Sequence, residues 1–327
     1  MDNNNLTRRN FIKTTGAVTA GALLTPAIAC SSTSAYDAKD IPTVMLGKTG
    51  VRIPRLIMGL GSRFLAVDED KGLEILETGL NKGLYHWDTA ASYGGGDVWS
   101  EERVGKILKN VRNRVFLSSK VGDRNADDAK RTLETSLKRL QTDYIDLYQV
   151  HSVANEEEVR RFGDKDGVLP VLKKYQEEGV IKHIGFTGHT SAAAMKLAAE
   201  MYDFDTMLIA LNHQHKGKQP FEEQPVPFAA QKGMGVLGMK VIRPRETVTT
   251  IETDDLVRYA LSLEDITAIV IGIDSLDVLN KNISIVQSFK PLSTERMNEL
   301  RAELEPFYNS NKLPWMQTGY RDGMLMA

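Results

Sequence analysis

The sequence predicts an α/β protein, and the architecture that it favours is a single eight-stranded (β/α)8 barrel. From residue 44 onward, short apolar runs of strand character alternate with longer segments of helical period. Eight such units fit a closed barrel well, because parallel strands joined by helical crossovers then leave no free edge. The rival architecture is a doubly wound sheet, but its GxGxxG turn is missing, since Gly59-Leu60-Gly61 supplies only the first half of that pattern.

The composition excludes several classes of protein. The chain has 327 residues, with 41 Lys plus Arg against 43 Asp plus Glu and a formal net charge of −2. We therefore expect no nucleic-acid partner, because such partners require clustered positive charge. The single cysteine excludes an intrachain disulfide, a CxxC redox site and a cluster held by four thiolates.

The first thirty residues differ from the rest. The pair Arg8 and Arg9 precedes an uncharged stretch that follows Lys13 and ends at Ala29, and this stretch is short and rich in Ala, Gly and Thr for a membrane span. With Phe11 and Lys13 at the flanking positions, residues 1–30 resemble a bacterial twin-arginine signal peptide. The resemblance implies export of an already folded protein by machinery that recognises the arginine pair.

The only cysteine, Cys30, closes the segment Ala27-Ile28-Ala29-Cys30, which is similar to a bacterial lipobox. The alternative is a small-residue cleavage site with an unmodified thiol beside it. Residues 31–41 are small and polar, as in a flexible tether. We therefore expect a periplasmic protein or one lipid-anchored at the bacterial envelope, with membrane contact only through a lipid on Cys30.

The elements of the body, residues 42–327, follow in order. A β-hairpin is predicted at Val44–Ile53, with its turn at Lys48-Thr49-Gly50. The predicted strands are Leu56–Leu60, Tyr85–Ala90, Val115–Lys120, Tyr144–His151, Ile181–Thr187, Thr206–Asn212, Gly235–Val241 and Ala268–Gly272. The predicted helices are Lys71–Asn81, Glu101–Asn110, Asp127–Leu140, Leu169–Glu178, Ala192–Met201, Asp254–Leu263 and Leu276–Ser288, with an extra C-terminal helix at Ser293–Tyr308.

Polar side chains end three successive predicted strands, and this is where barrels of this kind form active sites. Asp88 and Tyr93 follow the second strand, Lys120 ends the third and His151 ends the fourth. A phenol has a pKa of about 10, and an adjacent ammonium such as that of Lys120 would lower it. Asp88 would hold the ammonium in place, and His151 could donate a hydrogen bond to a carbonyl oxygen. Such a set suits reduction of C=O by an external hydride source.

Each of these residues has an ordinary structural explanation when it is taken alone, as a helix cap, a solvated lysine or a core histidine. Together they carry a family resemblance: Asp88-Thr89-Ala90-Ala91-Ser92-Tyr93-Gly94, Lys120 and Asp146-Leu147-Tyr148-Gln149-Val150-His151 resemble the aldo-keto reductases over residues 44–282. The resemblance implies a (β/α)8 barrel and a nicotinamide cofactor, NAD or NADP, bound across its rim. It also implies that Tyr93 is the proton donor, that Lys120 and Asp88 tune it, and that His151 orients the carbonyl.

The resemblance also places the cofactor contacts, but several depart from the family pattern. The family's Ser-Asn pair after strand five is Thr187-Gly188 here, and a family Gln on strand six is Leu208, so two of three side-chain contacts to the nicotinamide amide are absent. The full set of cofactor-binding positions that we infer comprises Ser62, Asp88, Thr187, Gly188, Leu208, Met239, Lys240, Gly272, Asp274 and Asn282.

The choice between the two cofactors depends on charge. The family's cations around the adenosine 2'-phosphate are absent after Gly272, and Asp274 would repel a phosphate while suiting a ribose hydroxyl. This slightly favours NAD. The opposite possibility is that Lys240, with Arg243 and Arg245 nearby, supplies the missing positive charge from another direction.

Three residues are candidates for the substrate pocket: Arg63, Trp87 and Ser152. Arg63 would favour an anionic or polyhydroxylated substrate, although an arginine that extends into solvent is the simpler explanation. Trp87 is explained equally well by core packing. His213 and His215 lack a third ligand in view, so no metal site is expected.

The sequence therefore predicts an NAD(P)-dependent oxidoreductase that interconverts a carbonyl and an alcohol, on a sugar-like or anionic small molecule. One alternative is a non-catalytic barrel module that keeps only the nucleotide groove. A second is an exported epimerase or dismutase with a trapped cofactor, because free nicotinamide cofactor is not expected to be plentiful outside the cytoplasm. The complete set of four catalytic residues favours an enzyme.

Overall fold

The structure is a computed structural model that describes residues 35–211, 219–246, 248–309, 315, 320 and 322–323. The predicted signal peptide, which contains Arg8 and Arg9, lies outside the described residues, and so do Cys30, residues 31–34 of the tether, His213 and His215. The prediction of a flexible tether is wrong for its described part, because Tyr36 stacks on Tyr85 with ring centroids 4.9 Å apart and Ile41 is buried in the core. Among the described residues, no helix is both long and apolar enough to cross a membrane.

Eight parallel strands close into a barrel in chain order, as the sequence predicts. Two short antiparallel pairs, β1–β2 and β5–β6, lie outside it. The strands are β1 (Thr43–Met45), β2 (Arg52–Pro54), β3 (Leu56–Gly59), β4 (His86–Asp88), β5 (Gly94–Gly95), β6 (Val98–Trp99), β7 (Phe116–Val121), β8 (Ile145–Val153), β9 (Ile181–Gly188), β10 (Thr206–Ala210), β11 (Gly235–Met239) and β12 (Ala268–Gly272).

Helices follow the barrel strands and cover the outside of the sheet. They are α1 (Ser62–Leu65), α2 (Glu69–Asn81), α3 (Ser100–Val111), α4 (Ala126–Leu140), α5 (Glu156–Arg161), α6 (Val168–Glu177), α7 (Ala192–Met201), α8 (Pro225–Gln231), α9 (Thr253–Ser262), α10 (Leu276–Gln287) and α11 (Thr294–Asn309). All eight predicted strands and all eight predicted helices are confirmed, with small shifts at their ends. The short elements α1, α5, α8 and the β5–β6 pair are additional.

The barrel strands are covered on both faces, and their sequences show it. Every residue of β7 is buried, which is expected of a parallel strand between the barrel interior and the helices.

The hairpin β1–β2 closes the end of the barrel at which the strands begin. Leu46 and Ile53 are fully buried there, and a Cβ on Gly235 would come within 2.4 Å of Leu46 Cδ1. Gly235 therefore permits the hairpin to pack directly on the start of β11.

The C-terminal helix α11 packs on α9. Arg296 forms an ion pair with Asp255 at 2.9 Å, and Arg301 donates to the phenolic oxygen of Tyr259 at 3.0 Å. These contacts hold α11 against α9.

A buried histidine on β4 predicts how stability depends on pH. His86 is fully buried with Nε2 2.7 Å from Ser118 Oγ, and burial lowers the pKa of its imidazole to about 3. The unfolded chain binds a proton on this group below about pH 6.5, whereas the folded chain does so only at much lower pH. Stability is therefore lost as the pH falls, by about 2 kcal/mol from this group between pH 6.5 and pH 5.

The measurement is the free energy of unfolding in urea at the two pH values. We expect the drop in His86→Gln to be smaller than in the unmodified protein by about that amount. An equal drop in both proteins would show that His86 is not the titrating group.

Candidate active site

The four predicted catalytic residues come together at the ends of β4, β7 and β8. The Lys120 ammonium, only 1% exposed, lies 2.6 Å from Asp88 Oδ2 and 3.2 Å from the phenolic oxygen of Tyr93, and it donates to Thr89 O at 2.7 Å. The register explains this proximity: β4 pairs with β7 at Asp88, and β7 pairs with β8 at Lys120. Adjacent parallel strands therefore end side by side with these groups on one rim.

Tyr93 is held by the turn that follows β4. Its backbone N–H donates to Ala90 O, and its carbonyl accepts from Ser100 N–H, both at 3.0 Å. The next residue, Gly94, has φ of 144°, and a Cβ there would come within 2.3 Å of Val98 O. A glycine is therefore required for the chain to turn into the β5–β6 pair and leave the phenol pointing at Lys120.

His151 is positioned by a β-bulge in β8. The pairing with β9 shifts by one residue between Val150 and Val153, and Ser152 takes a left-handed φ of 54°. Burial lowers the pKa of His151 to about 4, so the ring is neutral near pH 7. Nε2 of His151 lies 3.3 Å from a carboxylate oxygen of Asp322, which can only accept, so the ring proton is assigned to Nε2, and the Ser92 hydroxyl, 3.4 Å from Nδ1, can donate to that nitrogen.

Two functional residues were missed by the sequence analysis, and the first is Asp322. Its Oδ2 accepts from the Tyr93 hydroxyl at 2.9 Å and lies 3.3 Å from His151 Nε2, while its Oδ1 accepts from Lys240 Nζ at 2.6 Å. Only 6% of its side chain is exposed. A carboxylate from the C-terminal end of the chain therefore lies where a substrate carbonyl is expected.

The second missed residue is His189, which follows β9. It is 3% exposed, and its Nε2 lies 3.5 Å from Asp322 Oδ2 without a well-aligned hydrogen bond to any described residue. The rule that located His151, a polar residue just after an apolar strand, also applies to His189.

The pKa of Tyr93 shifts in the direction opposite to the sequence expectation. Burial and the carboxylates of Asp322 and Asp88 raise it well above its ordinary value. The expected lowering by Lys120 is thus outweighed while Asp322 is in contact, and the phenol is held protonated.

Six of the predicted cofactor-binding residues line a cavity beside this group. They are Ser62, Asp88, Leu208, Met239, Lys240 and Gly272. Asn282 lines a neighbouring cavity that also contains Gly272 and Arg63, and its amide Nδ2 is buried without a hydrogen-bond partner among the described residues. These residues form one groove along the ends of β3, β11 and β12, which we call the cofactor-side groove.

Three predicted cofactor contacts are not brought into this groove. Thr187 is fully buried, and its hydroxyl accepts from the backbone N–H of Ser152 at 3.0 Å. Gly188 packs against Met195, since a Cβ there would come within 2.2 Å of the sulfur. Asp274 forms an ion pair with Arg63 at 2.8 Å and is not among the residues that line the two cavities of this groove.

The three predicted substrate residues lie in three different parts of the structure. Ser152 lies with His151 and Trp99 in a second cavity on the other side of Asp322, which we call the substrate-side cavity. Arg63 lines the cofactor-side groove instead, because its ion pair with Asp274 holds it there. Trp87 belongs to the hydrophobic core, fully buried with its indole N–H bonded to Leu84 O, so its prediction as a pocket residue is wrong.

The comparisons with known proteins agree with this geometry. Residues 55–244 match the model of the aldo/keto reductase family, which is more than half of the chain. The chain belongs to the aldo/keto reductase family. Among curated relatives, L-galactose dehydrogenase of Arabidopsis thaliana is 25% identical over 81% of this chain and 94% of its own length. Methylglyoxal reductase DkgA of Escherichia coli O157:H7 is 30% identical over 62% and 73%, respectively.

Solved structures show the same fold. An aldo-keto reductase from Bacillus halodurans in its holo form superposes with a TM-score of 0.66 at 20% identity, covering 80% of this chain and 96% of that one. Residues 5–25 match a twin-arginine translocation signal sequence, so the predicted export route is confirmed. Lipidation of Cys30 stays a prediction.

As a member of the aldo/keto reductase family, the protein is an NAD(P)-dependent oxidoreductase rather than a binding module. The cofactor-side groove fits such a dinucleotide. Gly272 leaves space beside the Arg63 side chain, and Asn282, which lines the same cavity, has a buried amide Nδ2 without a hydrogen-bond partner among the described residues.

Proposed function

We propose that the protein interconverts a carbonyl compound and its alcohol, with Tyr93 as the proton donor and NADP(H) as the cofactor. The observation that carries the proposal is the position of the Lys120 ammonium, 2.6 Å from Asp88 and 3.2 Å from the Tyr93 phenol, on the rim between two cavities. This is the arrangement that a general acid for carbonyl reduction requires.

The residues have distinct tasks in the reaction. The bound cofactor supplies the hydride, which no side chain can deliver. The Tyr93 hydroxyl donates its proton to the carbonyl oxygen as negative charge develops there, and the His151 Nε2–H donates a hydrogen bond to the same oxygen. Lys120 stabilises the phenolate that remains, and Asp88 keeps Lys120 in place. In the oxidative direction the phenolate takes the proton back.

Charge in the cofactor-side groove supports NADP(H), against the slight preference for NAD(H) drawn from the sequence. The repulsive carboxylate of Asp274 is paired with Arg63. Arg245 and Lys281 line the cavity that contains Asn282, together with the paired Arg63, so the positive charge comes in part from one of the arginines that the sequence offered as the alternative source. Cations around a 2'-phosphate form charge-assisted hydrogen bonds, which are stronger than those between neutral groups.

The test is a titration of the folded protein with NADPH and with NADH. We expect tighter binding of NADPH, and we expect Lys281→Met to weaken it by about tenfold or more while affecting NADH little, because a hydrogen bond to a charged group contributes about 1.5–3 kcal/mol. Lys290→Met, an exposed position just after α10, is the matched control. Equal affinities for both cofactors, unchanged in Lys281→Met, would contradict the assignment of NADP(H).

A further inference from the structure

The carboxylate of Asp322 occupies the space between Tyr93, His151 and Lys240, which we call the catalytic pocket, in the way that a ligand would. Its Oδ2 contacts Tyr93 at 2.9 Å and His151 at 3.3 Å, and its Oδ1 contacts Lys240 at 2.6 Å and Tyr320 at 2.9 Å. Gly323 packs on the Tyr93 ring so closely that a Cβ would come within 1.9 Å of Cδ1. The described C-terminal residues therefore fit this pocket closely.

The pocket is electrostatically suited to an anion. Burial alone would raise the pKa of Asp322, but Lys240, together with the imidazoles of His189 and His151, holds it well below its ordinary value. His189 Nε2 is buried and lies 3.5 Å from Asp322 Oδ2, without a well-aligned hydrogen bond to any described residue. Without Asp322, the Lys240 ammonium, 13% exposed, would keep the neutral Tyr320 hydroxyl at 2.7 Å but would lose its anionic partner, and Tyr93 and His151 would lose the acceptor that they contact. Such a pocket disfavours a neutral occupant, because an unpaired buried charge is costly.

Asp322 also blocks the path of the reaction. It lines both the cofactor-side groove and the substrate-side cavity, so it stands between them. A carbonyl must reach the same Tyr93 hydroxyl that Asp322 Oδ2 accepts from. Substrate and Asp322 therefore compete for the same donors, and only one of them can be bound at a time.

The contacts of the two carboxylate oxygens indicate the chemical class of the substrate that competes with Asp322. One oxygen lies on the proton donor Tyr93 with His151, and the other lies on the cation Lys240. A 2-oxo acid offers the same pair on adjacent carbons: a keto oxygen for Tyr93 and a carboxylate oxygen for Lys240. We propose that the substrate is a small 2-oxo acid, or the 2-hydroxy acid in reverse, whose carboxylate replaces that of Asp322 on Lys240.

This inference rests on the proposed carbonyl reduction and names its substrate class. The hydride of the reduced nicotinamide forms a C–H bond at the keto carbon, the C=O π bond breaks, and the oxygen takes the proton of Tyr93. The keto group is reduced to a hydroxyl, the nicotinamide is oxidised, and the neighbouring carboxylate is unchanged. Lys240 holds that carboxylate throughout and acts as a specificity-determining residue.

A binding experiment tests the carboxylate site without requiring turnover. The probe is oxamate, which carries a carboxylate beside a non-reacting carbonyl, and the matched neutral probe is oxamide. Asp322→Asn and Asp322→Ala should bind oxamate at least about tenfold more tightly than the unmodified protein by calorimetry, since the internal competitor is removed. Oxamide should not show this gain. Adding Lys240→Met to Asp322→Asn should abolish the gain, whereas adding Lys109→Met, an exposed position on α3, should not.

Two results would overturn the carboxylate site. Oxamate and oxamide could bind equally in all variants, or oxamate could bind independently of Lys240. Thermal melting of each variant, and the use of two substitutions at position 322, separate a loss of binding from a loss of fold.

A kinetic experiment then separates this inference from the proposed function. The substrates are 2-oxobutyrate and its amide, which share the reacting carbonyl but differ in charge. We expect kcat/KM to favour the acid by at least about tenfold, and Lys240→Met to lower it for the acid far more than for the amide. Equal reduction of both substrates would refute the substrate class while leaving the redox reaction intact. If Asp322→Asn accelerated both equally, Asp322 would be a general block of the pocket, and the inference of a 2-oxo acid would be wrong.

Discussion

Tyr93→Phe is expected to lower kcat for carbonyl reduction by about a hundredfold to ten-thousandfold, the range associated with loss of a general acid. The phenol is the proton donor closest to Lys120, at 3.2 Å, and phenylalanine retains the ring but has no proton to give. Cofactor binding should be retained, because the cofactor-side groove is formed mainly by other residues. The measurements are single-turnover kinetics and a cofactor titration on the same preparation.

The matched control is Tyr85→Phe. Tyr85 is also buried, at 3% exposure, and its hydroxyl donates to Arg52 O at 2.8 Å at the opposite end of the barrel from the catalytic group. The same chemical change there should affect stability and leave turnover largely intact. Similar turnover in Tyr93→Phe and Tyr85→Phe would refute the role of Tyr93 as the proton donor.

The parts of the fold that were predictable from the sequence are those with a repeating pattern. Strands such as β7, buried along its whole length, and amphipathic helices such as α4 are encoded by apolar periodicity. Short elements lack such a pattern. Helix α5, for example, is a six-residue segment that begins with a capping box between Asn155 and Glu158. Only its capping residues mark it, and these also occur in loops.

The site was predictable where neighbouring strands deliver its residues. Asp88, Lys120 and His151 end strands that pair in the barrel, so their proximity follows from topology alone. Asp322 could not be found this way, because it lies 229 residues from Tyr93 and follows the last helix of the barrel. The ion pair between Arg63 and Asp274, which are 211 residues apart, could not be predicted from the sequence for the same reason. Contacts of this kind depend on where a side chain packs in three dimensions, and local sequence does not encode it.

Lys120→Met is expected to lower the free energy of unfolding by about 3–5 kcal/mol and to remove most turnover. Lys120 and Asp88 form an ion pair at 2.6 Å, with side chains 1% and 5% exposed. Removing one member leaves the other buried without its partner, which is far more costly than the net contribution of the pair. Urea unfolding at neutral pH measures the loss. Lys109→Met, on the exposed face of α3, is the control for removal of a lysine charge and should change stability little.

The double variant Asp88→Asn, Lys120→Met separates the cost of the orphaned charge from the loss of catalysis. Burial already raises the pKa of Asp88, and Lys120 opposes that rise. In Lys120→Met the pKa of Asp88 should rise further, so the folded carboxyl stays protonated where the unfolded one ionises, and stability should fall as the pH increases above the ordinary carboxyl range. The double variant has no carboxyl at position 88 to titrate, and it should regain stability and lose this pH dependence.

The turnover of the double variant should stay as low as that of Lys120→Met, because nothing then stabilises the phenolate of Tyr93. A double variant no more stable than Lys120→Met would show that the two residues are not energetically coupled.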